Sequence, residues 1–298
     1  MRVFVTGATG FIGSAVVRDL IAAGHQVLGL CRSEDKAGAL AAAGAEVLRG
    51  SIEDLERLTA GAARSDGVIH LAFNHDDFSR FAQTCENDRR VIAALGAGLA
   101  GSSRPLIVTS GVAMASTVPG QPAREDNPII GADVIPRAAS EEAAARAAAD
   151  GVNVTVVRLP QVHDTRKQGL VTYVIQIARD KGVCGYLGDG QNRWSAAHLS
   201  DVARLYRLAI EAARPGAIYH AVAEEGIPHR DIADAIGRRL QIPVRSIAPD
   251  AAQAYFGWLA MFAAHDMHVS SEQTRAALGW QPTGPGLIAD LDGLELVA

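Results

Sequence analysis

The stretch that decides the fold is Met1-Arg2-Val3-Phe4-Val5-Thr6-Gly7-Ala8-Thr9-Gly10-Phe11-Ile12-Gly13. It joins an apolar run typical of a strand to three glycines spaced G-x-x-G-x-x-G, and a helical pattern follows from Ser14 to Ala23. In such a turn the first glycine allows a sharp bend, the second lets a pyrophosphate approach the backbone, and the third lets helix and strand pack closely. Because the start of a helix favours phosphate oxygens, the stretch predicts a nucleotide-cofactor site.

Composition and charge narrow the class of protein. The chain has 298 residues, of which 48% are hydrophobic and 20% charged, as expected for a soluble enzyme with a sizeable core. The net charge of −5 argues against a nucleic-acid partner, because binding phosphates requires a basic face. We expect no membrane span and no signal peptide, and therefore a cytoplasmic location. The three cysteines lack metal-ligand spacing, and we expect no metal site.

Strands and helices alternate through the first half of the chain. After the first strand, apolar runs predict further strands at His25 to Leu30, Glu46 to Leu48, Gly67 to Ala72, Pro105 to Ser110 and Gly151 to Arg158. Because these runs are apolar on both faces and are followed by helical patterns, they predict an α/β fold with a doubly wound parallel sheet, the Rossmann arrangement. Ser51-Ile52-Glu53-Asp54 is typical of a capping box that begins a short helix.

The second half is less regular. Helices are predicted at Gly169 to Lys181, Leu199 to Ala213, His229 to Leu240, Asp250 to Ala264 and Ser270 to Leu278, with a strand at Ile218 to Val222. We predict a dinucleotide-binding domain over residues 1–160 and a smaller, mostly helical substrate-binding region over residues 161–298, from which about 199–222 packs back on the first domain. Ligands of open α/β sheets lie outside the carboxyl ends of the strands, so the second half should close over that edge.

Further motifs are spread over nearly the whole chain: Val68-Ile69-His70-Leu71-Ala72, Ile107-Val108-Thr109-Ser110, Val157-Arg158-Leu159-Pro160, Gly188-Asp189-Gly190, His198-Leu199-Ser200-Asp201-Val202-Ala203 and Leu278-Gly279-Trp280-Gln281-Pro282. Together with the glycine turn they resemble the short-chain dehydrogenase/reductase superfamily, in its extended or atypical branch of NAD-dependent epimerase/dehydratase-like proteins. The resemblance implies a Rossmann fold, a bound nicotinamide dinucleotide and a small-molecule substrate.

The family's usual catalytic pair is missing from this chain. The pair is Tyr-x-x-x-Lys, on the helix after the fifth strand, where the tyrosine exchanges a proton and the lysine lowers its pKa. Here that helix begins Pro136-Arg137-Ala138-Ala139-Ser140-Glu141-Glu142-Ala143. The chain has no tyrosine before Tyr173 and no lysine between Lys36 and Lys167. The resemblance therefore implies a bound cofactor without by itself implying hydride chemistry.

The residue after the second strand indicates which dinucleotide binds. NAD-preferring relatives have an acidic residue there that holds the ribose 2′-OH, whereas this chain has Arg32 beside Ser33. A guanidinium can pair with a 2′-phosphate, so NADP is expected before NAD, unless Arg32 is only a solvated surface residue. The resemblance implies the other cofactor-binding residues: Gly7, Thr9, Gly10, Phe11, Ile12, Ser51, Ile52, Leu71, Ala72, Phe73, Thr109 and Leu159.

Three residues are candidates for the catalytic group. Ser110 ends the fifth strand, where the family has a hydroxyl, although Gly111 could occupy that position and leave the role vacant. Arg137 lies near the usual place of the tyrosine and could polarise a carbonyl, but a guanidinium is a poor proton donor. His163 follows the Arg-Leu-Pro turn at the position of a family tyrosine; it could act as a general acid or be purely structural.

Candidate substrate-binding residues lie in three places. Asn74 begins a polar cluster, Asn74-His75-Asp76-Asp77, after the fourth strand, and Tyr173 lies in the predicted lid. By resemblance, Asn192, Arg193 and Trp194 line the substrate pocket after the Gly-Asp-Gly turn, although Trp194 could equally be core. The apolar run Phe256 to Phe262 could wall a pocket, form the interface of a homodimer or be core.

Three functions fit these observations. The first is an NADP-dependent reductase of a small carbonyl compound, with a nonstandard proton donor. The second is a nonredox NADP-binding sensor or regulator, which the missing Tyr-x-x-x-Lys pair favours. The third is a sugar-nucleotide epimerase or dehydratase, which normally requires the missing pair. The intact substrate motifs, Gly188-Asp189-Gly190 and Asn192-Arg193-Trp194, favour an enzyme, because a sensor needs no substrate pocket.

Overall fold

The computed structural model describes residues 1–74, 80–115 and 120–295. Its strands are β1 (Arg2–Thr6), β2 (Gln26–Cys31), β3 (Glu46–Arg49), β4 (Gly67–His70), β5 (Pro105–Gly111), β6 (Asn153–Leu159), β7 (Gln161–His163), β8 (Cys184–Leu187), β9 (Arg193–His198), β10 (Ile218–His220), β11 (Glu224–Pro228) and β12 (Val244–Ile247). Its helices are α1 (Phe11–Ala22), α2 (Glu34–Ala42), α3 (Leu55–Ala63), α4 (Phe81–Leu99), α5 (Ala139–Ala149), α6 (Val171–Lys181), α7 (Leu199–Ala212), α8 (His229–Leu240), α9 (Ala252–Phe256), α10 (Ala260–Ala263), α11 (Glu272–Leu278) and α12 (Leu287–Asp292).

The main sheet confirms the predicted Rossmann fold. Within the described residues it has seven strands in the order β10-β6-β5-β4-β1-β2-β3, and every neighbouring pair is parallel. The strand order reverses between β1 and β4, since the chain leaves β1 towards β2 in one direction and continues from β4 to β5 in the other. At such a switch point the loops after the two strands diverge and leave a crevice for a ligand.

The central strands of the sheet, β1, β4 and β5, are largely buried, which explains why they are mostly apolar. Alternate side chains of β1 point to opposite faces. Val3 and Val5 pack into a cluster with residues of α1 and α7, whereas Phe4 packs with residues of α3 and α4. Burying one such side chain contributes about 1.5–3 kcal/mol, so both layers of helices are held to the sheet mainly by these apolar contacts.

The second half contains more strand than its sequence indicated. Beside α6, α8 and the short late helices lie a three-stranded sheet, β11-β9-β7, and a parallel pair, β12-β8. The segment α7–β10 joins the first half, because β10 extends the main sheet beside β6 and Tyr206 of α7 packs in one cluster with Val3 and Val5. In the described ranges, none of the helices combines the length and apolar character needed to cross a bilayer.

Several predicted local boundaries were wrong for identifiable reasons. The helix expected over Asp250 to Ala264 is broken at Gly257, which has a φ of +57°. The cap of α3 is Asp54, whose Oδ1 accepts the N–H of Arg57 at 3.1 Å, and not Ser51. The fourth strand ends at His70, because Leu71 and Ala72 turn their N–H groups to the hydroxyl of Thr6 instead of to a strand.

Candidate active site and cofactor cleft

The glycine turn after β1 leaves no room for side chains at Gly7 and Gly13. Gly7 has a φ of +68°, and a Cβ on it would lie 2.8 Å from the backbone nitrogen of Ala72. A Cβ on Gly13 would lie 2.0 Å from the carbonyl oxygen of Gly7. Gly10 precedes α1 with no side-chain cap and no acidic residue in the first turn, so the first N–H groups of the helix are available to an anion. The turn therefore fits the diphosphate of a dinucleotide.

Thr6 holds the turn against the end of β4. Its Oγ1 accepts the N–H groups of Leu71 and Ala72, each at 3.2 Å, and lies 2.7 Å from Nδ1 of His70. Since the oxygen already accepts two hydrogen bonds, its own proton goes to His70. The two loops that flank the switch point are thus joined by one buried hydroxyl.

The predicted cofactor-binding residues lie along one edge of the main sheet. All of them follow or end strands β1 to β6, and each retains exposed surface although the strands themselves are buried. The glycine turn also borders a groove of about 440 Å³, which Thr9, Gly10, Phe11 and Ser14 line from one side. The other side comes from the second half of the chain: Asp164, Arg166, Lys167 and Glu295.

A second arginine, which the sequence reasoning missed, lies near the end of β2. Arg32 is exposed just after this strand, and Ser33 is half-buried beside it. Arg49 is in register with Cys31, donates from Nη1 to the carbonyl oxygen of Ser33 at 3.1 Å and pairs with Glu34. Ser51 and Ile52 follow on the loop after β3 and are half-buried. The β2–β3 edge therefore places the guanidinium of Arg49 at Ser33, directly after Arg32 in the chain.

Arg137 is the one predicted catalytic candidate in the described residues that keeps exposed surface. Its Nη1 lies 3.2 Å from Oδ2 of Asp88, and its Nη2 donates to the carbonyl oxygen of Thr109 at 3.1 Å. The guanidinium also contacts the hydroxyl of Ser140 and lies 4.1 Å from the ring centroid of Phe73. These contacts hold the guanidinium at the carboxyl end of β5.

A buried chain of hydrogen bonds stands behind Arg137. Asp88, on α4, accepts from Nε2 of His70 at 2.9 Å and from the hydroxyl of Ser140. Burial opposes ionisation of Asp88, but His70, Arg137 and Ser140 together hold its pKa below the usual range. No local pattern in the sequence indicates this role of Asp88, because Asp88 is distant in the chain from both Arg137 and Ser140.

The residue four positions after Arg137 is Glu141. Its two carboxylate oxygens accept from Nε and Nη2 of Arg158, both at 2.9 Å, and both side chains are buried. Nη1 of Arg158 continues to Nε2 of His220 at 3.2 Å, and Nδ1 of His220 donates to the carbonyl oxygen of Ser270. Arg137 and Glu141 thus have the four-residue spacing of the family's Tyr-x-x-x-Lys pair, and that spacing was the signal that could have identified Glu141.

The hydroxyls at the end of β5 are not arranged as the resemblance implied. Thr109 donates from Oγ1 to the carbonyl oxygen of His70 and therefore accepts from the hydroxyl of Tyr206, both at 2.7 Å. Because successive side chains of a strand point to opposite faces of the sheet, Ser110 faces away from Thr109. Its Oγ is buried there without a hydrogen bond. A Cβ on Gly111 would meet nothing nearer than the carbonyl oxygen of Leu159 at 3.9 Å. Open space therefore begins at Gly111.

His163 lies inside the second half. Its ring is fully buried, with Nδ1 2.7 Å from Oδ2 of Asp290 and Nε2 3.9 Å from Oε2 of Glu224 without a hydrogen bond. Burial lowers its pKa, while Asp290 acts in the opposite direction. In this position the ring offers no surface to a substrate.

The predicted substrate-binding residues separate into two groups. Asn74 is exposed after β4, and the ring of Tyr173 packs edge-on at 5.0 Å from that of Trp258. Asn192 donates to the carbonyl oxygen of Ala263 at 3.0 Å, and Nη2 of Arg193 pairs with Oδ2 of Asp266 at 2.7 Å. The following residue, Trp194, is fully buried in the core of the second half. His75, Asp76 and Asp77 lie outside the described residues.

Comparison with known proteins gives a family and a fold. A sequence model described as the NAD dependent epimerase/dehydratase family matches residues 3–223. Proteins described as uncharacterized in Schizosaccharomyces pombe and Saccharomyces cerevisiae are 46% and 45% identical, each over 98% of both chains. A 2-alkyl-3-oxoalkanoate reductase of Stenotrophomonas maltophilia is 29% identical over 78% of this chain and 73% of its own. The dTDP-glucose 4,6-dehydratase DesIV of Streptomyces venezuelae, solved with NAD bound, superposes with a TM-score of 0.77 at 20% identity, covering 98% of this chain and 95% of its own.

Proposed function

Because the chain belongs to the NAD dependent epimerase/dehydratase family, we propose that it is an NADP-dependent reductase of a small carbonyl compound in which Arg137 takes the place of the family's tyrosine. The observation that carries the proposal is the placement of Arg137 by Asp88 and Thr109 at the carboxyl edge of β5. This edge also bears the glycine turn, so a cofactor and a carbonyl group could meet there. The proposal includes a cytoplasmic location.

The preference for NADP rests on the charges at the β2–β3 edge. Arg32 and Arg49 lie around Ser33, and two guanidinium groups suit a phosphate better than a hydroxyl. Glu34 opposes this, but it is exposed and already paired with Arg49. Binding of a 2′-phosphate would replace that carboxylate as the partner of Arg49.

Arg137 would act on the substrate by charge and not by proton transfer. When bound, NADPH supplies the hydride for the carbonyl carbon. A guanidinium donating to the carbonyl oxygen stabilises the negative charge that develops there, and it does so with little reorganisation because Asp88 and Thr109 already hold it. Since a guanidinium is a poor proton donor, the proton must come from water. The overall reaction consumes NADPH, a proton and an aldehyde or ketone, and gives NADP⁺ and an alcohol.

A second candidate, a nonredox NADP-binding sensor, is favoured by one observation. Both carboxylate oxygens of Glu141 are hydrogen-bonded to the buried Arg158. Glu141 therefore cannot take the role of the family's lysine, which binds the nicotinamide ribose. An epimerase or dehydratase normally requires the same pair and is favoured by no contact in the described residues.

The experiment that separates these functions is a titration followed by a turnover screen. Binding of NADPH and NADH is measured first, and oxidation of each is then followed with aldehydes, ketones, imines and quinones. A reductase turns over with NADPH, and Arg137→Ala lowers turnover while NADPH still binds. Tight binding of NADPH with no turnover for any acceptor would favour the sensor.

A further inference from the structure

The loop between β7 and α6 is held in one conformation by its own polar groups. Oδ1 of Asp164 accepts the N–H groups of Arg166 and Lys167 at 2.7 and 2.8 Å. The N–H of Asp164 donates to the carbonyl oxygen of Lys167 at 2.9 Å, and the buried Gln168 donates to the carbonyl oxygen of Asp164. The N–H of Glu295 also donates to the carbonyl oxygen of Thr165 at 2.8 Å. The backbone of Lys167 is therefore fixed, whereas its side chain can change rotamer.

The same loop faces the start of α1 across the groove. Nζ of Lys167 lies 5.9 Å from the ring centroid of Phe11, the first residue of that helix. Thr9 and Gly10 line the same groove. A cation from the second half thus approaches the helix start at which the glycine turn would hold a diphosphate.

The neighbouring charges leave Lys167 available. Four charged side chains line the groove, and the acidic ones are already engaged: Asp164 by the two backbone N–H groups of its turn and Glu295 by Nε of Arg166 at 3.6 Å. In residues 1–74, 80–115 and 120–295, no carboxylate oxygen lies within 4 Å of the Lys167 ammonium. An anion entering the groove would therefore find one unpaired positive charge opposite the helix start.

We propose that Lys167 is a cofactor-binding residue supplied by the second half of the chain, which contacts the diphosphate of the dinucleotide on the glycine turn. This inference rests on the proposed function, because it assumes that a dinucleotide binds. It goes beyond the family's glycine turn by making the two halves of the chain share one ligand.

The test compares two probes that carry different phosphates. ADP-ribose has the diphosphate but no 2′-phosphate, whereas 2′-AMP has the 2′-phosphate but no diphosphate. Calorimetric titration should show that Lys167→Ala weakens ADP-ribose about tenfold, the loss expected for one hydrogen bond to a charged group, and leaves 2′-AMP unchanged. Arg32→Ala should do the reverse. Lys181→Ala is the matched control, because Lys181 is also an exposed lysine of the second half and lies by Tyr255, away from the groove.

Each outcome bears on the inference. The proposed contact is wrong if Lys167→Ala changes the Kd for ADP-ribose by less than twofold, or if Lys181→Ala weakens ADP-ribose equally. Loss of affinity for ADP-ribose with a reduced dependence on KCl concentration supports it, since a removed charge lowers the salt sensitivity. Failure of the unmutated protein to bind NADPH, NADH and ADP-ribose would instead reject the proposed function. Thermal unfolding without ligand checks that each variant remains folded.

Discussion

Two regions at the carboxyl edge of the main sheet, one after β1 and one after β5, differ in the contacts that hold them in place. After β1, Gly7 and Gly13 keep the close backbone approaches that a dinucleotide-binding turn requires. After β5, Arg137 and Glu141 each form an ion pair with a buried partner of opposite charge. The first region requires residues without a Cβ, whereas the second depends on ion pairs.

Under the proposed function, this difference means that binding and chemistry rest on separate parts of the fold. A glycine turn cannot be altered without moving the backbone, because its contacts are made by main-chain atoms. A catalytic pair on a helix can be exchanged for another pair if its neighbours supply matching charges, as Asp88 and Arg158 do here. Variants in each region should therefore fail in different ways.

The largest expected effect comes from breaking the buried pair of the second region. Arg158→Met leaves the carboxylate of Glu141 buried without its partner, and we expect the free energy of unfolding to fall by about 3–5 kcal/mol in urea titrations. The double variant Glu141→Leu with Arg158→Met should regain most of this loss, because no charge remains buried. A loss under about 1 kcal/mol for the single variant would contradict the pairing.

The next effect separates binding from stability in the first region. Gly13→Ala places a Cβ 2.0 Å from the carbonyl oxygen of Gly7, so the turn must open. We expect a loss of about 3 kcal/mol in the free energy of unfolding and a Kd for NADPH raised well beyond tenfold. Gly38→Ala is the control: it lies in α2 with nothing within 4 Å of the added Cβ, and it should be neutral or slightly stabilising. NADPH affinity retained by Gly13→Ala would move the diphosphate away from this turn.

The same contrast decides how much the sequence alone could predict. The glycine turn, the apolar strands and their order of alternation are local patterns, so the Rossmann fold and the cofactor edge followed from them. The contacts of Arg137 come from α4, β5 and its own helix start, which are up to 49 residues apart in the chain, and no local pattern reports them. The mostly buried places of Ser110, His163 and Trp194 likewise depend on tertiary packing.

A smaller effect tests whether Asp88 positions Arg137. Asp88→Asn keeps the shape but removes the charge, and we expect turnover to fall about tenfold or more, the Kd for NADPH to stay within twofold and stability to fall by about 2–3 kcal/mol. The pH dependence gives a second readout. Because the pKa of Asp88 is lowered in the folded state, its contribution to stability is complete above the unfolded carboxyl pKa of about 4 and is lost as the pH falls through the folded-state value.

This acid-induced loss of stability should be shallower in Asp88→Asn than in the unmutated protein. Glu142→Gln is a suitable comparison, since Glu142, on α5, also has a lowered pKa, but it pairs with Arg89 at a partly exposed site. Equal turnover for Asp88→Asn and the unmutated protein would show that Arg137 does not depend on Asp88 for its position.

The smallest effect concerns Tyr206, whose hydroxyl reaches the end of β5 and so could be mistaken for the missing catalytic tyrosine. It is fully buried, it donates to Thr109, and burial raises its pKa far above the usual value for a tyrosine. Tyr206→Phe should therefore cost about 1 kcal/mol of stability and leave turnover and its pH profile unchanged. A large loss of turnover with a folded, NADPH-binding variant would instead assign the proton exchange to Tyr206. The hydroxyl of Thr109 would then connect Tyr206 to the end of β5.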